Sequence, residues 1–239
     1  MPYTEFSLEA VAEYLHVAKA DVEQLVRRDE IPHEHLGDRI VFRKKEVDAW
    51  ASQRILQFSK SGLSDYHKKT SAKYHDLSAT HAIIPELIRA EFIAPNLASK
   101  TKSSLLRAMT EVADATGLLI YKDDLLDSLL EREQMCSTAL AGGIALLHPR
   151  NHDPYMFEDS FVCIGRTVHP IPFGSPDGRT TDLFILACCQ DDRIHLHVLA
   201  RLCMVFYHTS VLLELREAES AEPMLEALVR AEVDVTKRL

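Results

Sequence analysis

Apolar positions recur every three or four residues along the first part of the chain, a spacing that predicts amphipathic helices. The first helix follows Ser7, a residue type that caps helix N-termini, and its apolar positions are Leu8, Val11, Ala12 and Leu15. A second helix has its apolar positions at Val22, Leu25 and Val26. Two short helices joined by a tight turn predict a helix-turn-helix.

The next segment has the pattern of a hairpin followed by a helix. Residues 35–42 alternate on either side of Gly37-Asp38, which predicts two strands and a tight turn. From Lys44 to about Arg54, Val47 and Trp50 return one helical face to the core. The order of these elements predicts a small winged helix-turn-helix domain over residues 1–58.

Residues 59–82 are rich in Ser, Lys, His and Tyr and poor in aliphatic residues, which predicts a linker. In residues 83–239, helical and strand-like patterns alternate. Helices are predicted at about 102–116, 125–130, 193–207, 210–216 and 221–229, and strands at 143–147, 160–168 and 181–188. This alternation predicts an α/β fold in which a mixed β-sheet is flanked by helices.

Composition restricts the location and the chemistry of the protein. The 239 residues carry a net charge of −9, so any contact with nucleic acid must come from a local basic patch. No apolar run reaches the roughly eighteen residues of a membrane span, and the first residues lack the pattern of a signal peptide. We therefore expect a cytoplasmic protein without membrane insertion. The five cysteines form no C-x-x-C pair, and we expect no disulfide, metal site or cofactor.

A candidate site emerges where a predicted strand ends on a histidine. Arg132-Glu133 precedes the run Ile144-Ala145-Leu146-Leu147-His148, and Ile194-His195 lies at the start of a later predicted helix. These segments resemble the active-site signature of the enzyme IIA domains of the sugar phosphotransferase system, of the fructose, mannitol and nitrogen-regulatory type. The resemblance covers roughly residues 83–232. It implies that His148 carries a phosphoryl group received from a histidine-containing phosphocarrier protein, and that His195 and Arg132 stabilise this group.

These residue types suit the chemistry. A phosphoryl group on an imidazole needs a neutral ring as nucleophile, a cation beside the phosphate oxygens and hydrogen bonds that orient the ring. His195 and His197 are two residues apart on a helix and point to different sides, so only one can join His148. The family usually has Pro-His-Gly, whereas this chain has Leu147-His148-Pro149, and Pro149 cannot donate a backbone N–H.

The first 58 residues resemble the excisionase-type members of the winged helix-turn-helix family. The matching residues include Ile31-Pro32, Gly37, Phe42-Arg43 and Asp48-Ala49-Trp50. The exposed side of the second helix and the wing would face double-stranded DNA. The candidate contacts are Lys19, Gln24, Arg27, Arg28, Arg43 and Lys44. Asp21 and Glu23 near the start of that helix oppose phosphate, so a protein-docking role stays open beside DNA binding.

The two resemblances together predict a phosphorylation-responsive regulator. In this interpretation His148 accepts a phosphoryl group and the modified domain modulates the helix-turn-helix, which in its family commonly acts as a homodimer on paired half-sites. One alternative is a catalytically silent sensor or dimerisation scaffold, which the Leu147 and Pro149 departures favour. Another alternative is a phosphotransferase subunit that relays phosphate to a sugar permease.

Overall fold

The helix-turn-helix predicted from the first 58 residues is present in the protein. A computed structural model describes residues 5–15, 17–37, 39–57, 82–150 and 155–237, without the side chains of residues 192 and 193. Of the predicted linker, only Ala82 lies within the described residues. The N-terminal elements are β1 (Glu5–Phe6), α1 (Leu8–Tyr14), α2 (Lys19–Arg27), β2 (Glu34–Leu36), β3 (Arg39–Arg43) and α3 (Lys44–Gln57).

Local chemistry accounts for most of these elements. Ser7 caps α1 as predicted, because its hydroxyl accepts a hydrogen bond from the Ala10 N–H at 3.2 Å. Strands β2 and β3 form the expected antiparallel hairpin, with Gly37 in the left-handed region at φ 64°. Strand β1 pairs with the other side of β3 and was not predicted, since two residues are too few to display a period.

The C-terminal elements agree with the predicted α/β fold. They are α4 (Ile84–Leu87), a 3-10 turn (Ala90–Phe92), β4 (Ile93–Leu97), α5 (Lys102–Asp114), α6 (Lys122–Met135), β5 (Ala139–Leu140), β6 (Ile144–Leu147), β7 (Phe161–Ile171), β8 (Thr181–Cys188), α7 (Asp192–His208), α8 (Val211–Glu217) and α9 (Ala221–Thr236). Strand β4 was missed because Pro95 interrupts its pattern. Proline is tolerated there because β4 is an edge strand.

The sheet topology determines where functional residues can meet. The strand order is β4-β7-β8-β6-β5, and β6 runs parallel to its neighbour β8. Parallel neighbours end at the same edge of a sheet, so the residue after β6 and the helix after β8 lie close together. His148 is the residue after β6, and α7 is the helix after β8. The fold therefore brings two distant parts of the chain to one edge.

The two faces of the sheet are covered by different helices. Alternate residues of β6, β7 and β8 belong to two separate buried apolar clusters, as expected for strands with period two. One cluster contains buried residues of α5 and α6. The other contains residues of α7 and α9 and continues into the core of the helix-turn-helix. Helix α3 packs directly against α7, so the two domains share a buried apolar contact.

A buried ion pair connects α7 to α9. Arg201 Nη1 donates to Glu232 Oε1 at 2.9 Å, and both side chains are fully buried. The Glu232 carboxylate also accepts hydrogen bonds from the N–H groups of Ile83 and Ile84, each at 2.9 Å. Burial lowers the pKa of Arg201, and the neighbouring Glu232 carboxylate opposes this shift. The pair thus fastens the start of the C-terminal domain to its last helix.

Length and hydropathy decide whether a helix can span a membrane. Within the described part of the chain, no single helix is both long and apolar enough to cross a membrane. The bent pair of Ile194–His208 and Val211–Glu217 meets the requirement only as two helices taken together, by length and composition.

Candidate functional site

His148 lies immediately after β6 with its ring buried and its orientation fixed. Its Nδ1 is 2.9 Å from the carbonyl oxygen of Leu146, which can only accept, so Nδ1 carries the proton. Its Nε2 accepts a hydrogen bond from Nε of Arg132 at 3.0 Å. These two contacts define a neutral ring whose lone pair is on Nε2. Nε2 is therefore the nucleophilic nitrogen of this histidine.

Arg132 lies in the last turn of α6 and is 2% exposed. Its Nη1 donates to the carbonyl oxygen of Cys136 at 3.1 Å and approaches the Cys136 sulfur at 3.3 Å. Among the described residues, Nη2 has no hydrogen-bond partner and no carboxylate lies within ion-pair distance of the guanidinium. The site thus contains a buried cation with unused donor capacity, a costly arrangement unless a ligand completes it.

The neighbouring Glu133 has a supporting role. Its carboxylate accepts from the N–H of Thr138 at 3.1 Å and from the Thr138 hydroxyl at 2.7 Å. Lys102 Nζ donates to the same carboxylate at 2.8 Å. These contacts hold the turn between α6 and β5, and that turn includes Cys136, to which Arg132 is bonded. Glu133 therefore fixes the backbone on which Arg132 depends and neutralises Lys102, not Arg132.

His195 is brought to His148 as expected. It lies in the first turn of α7, and the two imidazole rings have centroids 4.9 Å apart with planes tilted by 45°. Asp191 caps the N-terminus of this helix, because its carboxylate accepts a hydrogen bond from the N–H of Ile194 at 2.9 Å. The partial positive charge of a helix N-terminus therefore lies beside both rings, which favours an anion between them. His197 is also buried, on the same helix.

Ser52, which comes from the other domain, was not among the residues predicted for this site. This α3 residue is 3% exposed, and its Oγ lies 3.1 Å from Nε2 of His195. A serine in an amphipathic helix carries no signal for such a contact. The contact between Ser52 and His195 follows only from the packing of α3 on α7. The helix-turn-helix domain therefore contacts His195 directly.

An open cleft lies beside this contact. Its volume is about 420 Å³, and it lies between the end of α3 and the turn after α6. Gln53 and Gln57 line one side, and Cys136 and Ser137 line the other. The histidines and Arg132 do not line it, so the cleft adjoins the buried site without opening it.

The residues after His148 explain the Pro149 departure. Pro149 itself has no N–H to offer, and the next amide, that of Arg150, donates to the Ser128 hydroxyl at 2.8 Å. The Arg150 guanidinium is 3.2 Å from the Glu131 carboxylate. Arg150 is thus attached to α6, and neither of these donors is directed to His148.

The predicted DNA-facing residues are exposed but mostly paired. Lys19 is bonded to Glu9, which raises the pKa of Lys19 and lowers that of Glu9. Three further ion pairs join Arg27 to Glu23 at 3.7 Å, Arg28 to Glu30 at 3.8 Å and Arg43 to Glu34 at 2.8 Å. Gln24 is exposed, and Lys44 is half-buried at the start of α3. Each pair leaves less net positive charge for a polyanion.

The carboxylates of α2 have local functions. Asp21 Oδ2 accepts from the Ala18 N–H at 3.3 Å and so helps to begin α2, which turns its charge toward the helix end. Glu23 lies beside Arg27. Within the described residues, no group of three or more His, Cys, Asp or Glu side chains is arranged to hold a metal ion.

Comparison with known proteins agrees with this geometry. The family described as "Phosphoenolpyruvate-dependent sugar phosphotransferase system, EIIA 2" matches residues 86–231, and "Helix-turn-helix domain" matches residues 5–55. The first match covers more than half of the chain. The chain therefore belongs to the enzyme IIA family of the phosphotransferase system, with an excisionase-type helix-turn-helix domain at its N-terminus.

Two curated relatives illustrate the range of the family. The chain is 27% identical over 147 residues to the PTS system fructose-specific EIIABC component of Bacillus subtilis (strain 168), a match that covers 61% of this chain and 23% of that protein. It is 28% identical over 148 residues to the Nitrogen regulatory protein of Bradyrhizobium diazoefficiens, covering 61% of this chain and 94% of that protein. The chain thus spans under a quarter of the first relative.

Solved structures support the same fold. The Nitrogen Regulatory Protein IIA-Ntr from Neisseria meningitidis superposes with a TM-score of 0.56 at 24% identity, covering 62% of this chain and 99% of that one. IIA mannitol from Escherichia coli gives a TM-score of 0.53 at 22% identity, covering 59% and 98%. The prediction of an enzyme IIA fold joined to a helix-turn-helix is confirmed.

Proposed function

We propose that this protein is a phosphorylation-responsive regulator in which His148 accepts a phosphoryl group from a histidine-containing phosphocarrier protein. The phosphorylated enzyme IIA domain then modulates the helix-turn-helix. Nε2 of His148 is the acceptor atom, since Nδ1 carries the proton and donates it to Leu146, whereas Nε2 carries the lone pair, which in this structure accepts from Arg132. In the transfer, Nε2 forms a bond to phosphorus as the bond from phosphorus to the donor's imidazole nitrogen breaks.

The observation that carries this proposal is the unfilled Nη2 of Arg132 beside the His148 nucleophile. A phosphoryl group on Nε2 brings nearly two negative charges into a buried site, where the attraction to a cation is stronger than in water. The Arg132 Nε–H, which now bonds to Nε2, and the Nη2–H groups would then donate to phosphate oxygens. Binding of phosphate would explain why Arg132 is buried although, among the described residues, no carboxylate pairs with it.

His195 contributes in a second way. The centroid of its ring lies 4.9 Å from that of His148, at the start of α7, where the helix N-terminus favours negative charge. A ring nitrogen of His195 can donate to a phosphate oxygen when it carries a proton. The silent-scaffold alternative gives no reason for keeping Arg132, His148 and His195 together.

The helix-turn-helix favours regulation over a relay to a permease. One relative is named a nitrogen regulatory protein and another a fructose-specific component, so the comparisons alone leave both activities open. The helix-turn-helix domain at residues 5–55 suits double-stranded DNA, which would locate the protein in the cytoplasm. A homodimer on paired half-sites is the arrangement expected for such a domain.

The direct test is phosphoryl transfer in vitro. The purified full chain is incubated with phosphoenolpyruvate, enzyme I and the histidine phosphocarrier, and acid-labile phosphate is measured by intact mass. We expect one labile phosphoryl group on the wild type and on His169→Ala, a control in an exposed strand position. We expect none on His148→Ala. Equal labelling of the His148→Ala variant, or no labelling of the wild type by the cognate donors, would overturn the proposal.

The regulatory arm has its own test. Affinity for duplex DNA is measured by fluorescence anisotropy before and after phosphorylation, at one fixed salt concentration because phosphate contacts are salt-dependent. We expect phosphorylation to change the affinity of the wild type and to leave that of His148→Ala unchanged. Identical affinities for both forms of the wild type would remove the regulatory part of the proposal.

A further inference from the structure

The DNA-binding domain contacts the site that is proposed to receive the phosphoryl group. His148 is 2% exposed, His195 is 1% exposed, and Ser52 of α3 lies 3.1 Å from Nε2 of His195. Helix α3 packs on α7, and the apolar cores of the two domains form one cluster. The contact is therefore an extensive docking of one domain on the other, with a polar contact at the reactive histidines.

A protein donor cannot reach this site in the docked arrangement. Transfer between two imidazoles requires reacting atoms at roughly 3–3.5 Å before bond formation, with both rings directed at the phosphorus. A ring from another protein needs an open approach to Nε2 of His148. His148 is 2% exposed, and the Oγ of Ser52 in the docked α3 lies 3.1 Å from Nε2 of the adjacent His195.

Phosphorylated His148 is also disfavoured while α3 is docked on α7. A phosphoryl group adds three oxygens and nearly two charges to a buried region, and burying charge without full compensation is costly. Arg132 compensates on the α6 side. On the α3 side the neutral Ser52 hydroxyl contacts His195, within a largely apolar packing of α3 on α7. The phosphorylated site is therefore more stable when α3 has moved away.

We propose that α3 is a cap on the phosphoacceptor site, so that docking of the helix-turn-helix and phosphorylation of His148 exclude each other. The inference rests on the proposed function. The surface formed by His195 and the adjoining residues of α7 serves two partners, α3 in the unphosphorylated protein and the phosphocarrier in the open protein. Coupling of this kind is reciprocal, so phosphorylation releases the DNA-binding domain to the same extent that docking resists phosphorylation.

The DNA-facing side of the helix-turn-helix is not used in this contact. The side chains of Lys19, Arg27 and Arg43 are each more than half exposed while α3 is docked. Docking therefore controls the position and freedom of the DNA-binding domain, and does not cover its predicted recognition surface.

The test compares two neighbouring positions of α3. Ser52→Arg places a bulky cation in the buried contact, whereas Gln53→Arg adds the same side chain at an exposed position lining the open cleft. The first measurement is the rate at which diethyl pyrocarbonate modifies His148, located by peptide mass, which requires no phosphoryl donor. The second is the rate of phosphorylation by the phosphorylated phosphocarrier. Cooperative thermal unfolding establishes that each full-chain variant is folded.

We expect Ser52→Arg to raise both rates by about ten-fold or more, because the reactive form is then no longer a minor population. Gln53→Arg should stay within about two-fold of the wild type on the same argument. Should Ser52→Arg fail to fold, Ser52→Ala replaces it, with an expected rise of about five-fold, the factor that corresponds to one hydrogen bond. Gln53→Ala is then its control.

The outcomes separate the two proposals. Unchanged rates of both reactions in a folded Ser52 variant would overturn the cap. Faster modification of His148 by diethyl pyrocarbonate in the Ser52 variant, with no phosphorylation of any variant, would support the cap and contradict the proposed phosphorylation of His148. Slower hydrogen exchange across α3 in the phosphorylated than in the unphosphorylated wild type would also contradict the cap, which requires phosphorylation to loosen that helix.

Discussion

Two regions of the C-terminal domain each bury an arginine, and they treat it in opposite ways. Arg201, between α7 and α9, is paired with Glu232 at 2.9 Å, and that carboxylate also binds two backbone N–H groups. Arg132, beside His148, bonds to a ring nitrogen, a carbonyl oxygen and a thiol, and its Nη2 is unfilled among the described residues. Both guanidinium groups are shielded from water.

We interpret this difference as that between a structural charge, on Arg201, and the charge proposed to bind phosphate, on Arg132. The Arg201 charge is neutralised within the fold, so it fixes helices and has nothing left for a ligand. Among the described residues, no carboxylate neutralises the Arg132 charge, so the fold bears a cost that an incoming dianion would relieve. Burial alone therefore says little about an arginine. The partners of the guanidinium decide its role.

The largest expected effect is on stability at the paired arginine. Glu232→Gln leaves Arg201 buried without a counter-charge, and loss of one partner of a buried pair costs about 3–5 kcal/mol. We expect this loss in the free energy of unfolding, measured by urea denaturation. Glu226→Gln, at an exposed position of the same helix, is the control and should unfold like the wild type. A loss for Glu232→Gln no larger than for the control would show that the two buried arginines do not differ.

The next effect is on reaction rate at the unpaired arginine. Arg132→Gln removes the cation next to the acceptor nitrogen, and we expect the phosphorylation rate to fall by about 100-fold. The rate is followed by intact mass with the phosphocarrier as donor. Arg150→Gln is the matched control, since Arg150 is paired with Glu131 near the same sheet edge and should phosphorylate normally. Equal phosphorylation rates for Arg132→Gln and Arg150→Gln would contradict the proposal that Arg132 stabilises the phosphoryl group.

A smaller effect is expected on stability when the unpaired arginine, Arg132, is replaced. Arg132→Met replaces a buried cation that has no carboxylate partner with an apolar side chain of similar length. We expect the free energy of unfolding to change by no more than about 1 kcal/mol, because the lost hydrogen bonds are offset by the relief of desolvation. Urea denaturation beside Glu232→Gln makes the comparison. A loss as large as that of Glu232→Gln would mean that Arg132 is structural after all.

The smallest effect concerns the exposed arginines of the helix-turn-helix. Glu34→Gln removes the carboxylate 2.8 Å from Arg43, a neighbour that raises the pKa of Arg43. If Arg43 then contacts a DNA phosphate, the slope of log affinity against log salt should steepen by up to about 0.9. Anisotropy titrations of a random-sequence duplex at several salt concentrations measure this slope. An unchanged slope and affinity would place Arg43 outside the DNA interface, and Glu13→Gln on α1 serves as the control.

Much of the fold was predictable because local patterns agree with it. The Ser7 cap, the hairpin around Gly37 and the strands ending near Leu147 and Cys188 follow from capping, turn preference and hydrophobic period. Strand β4 was not predictable because Pro95 contradicts a strand locally and is permitted only by the edge position. Strand β1 gains its structure solely from pairing with β3.

The sequence by itself determined the family, the two kinds of domain and the three residue types of the candidate site, because these are recorded in short segments of the chain. The tertiary structure set the 4.9 Å distance between the rings of His148 and His195, left Nη2 of Arg132 without a partner among the described residues, and brought Ser52 to His195. Each of these depends on the separation of groups far apart in the chain. Such distances are set by strand order and by the packing of α3 on α7, which no local pattern encodes.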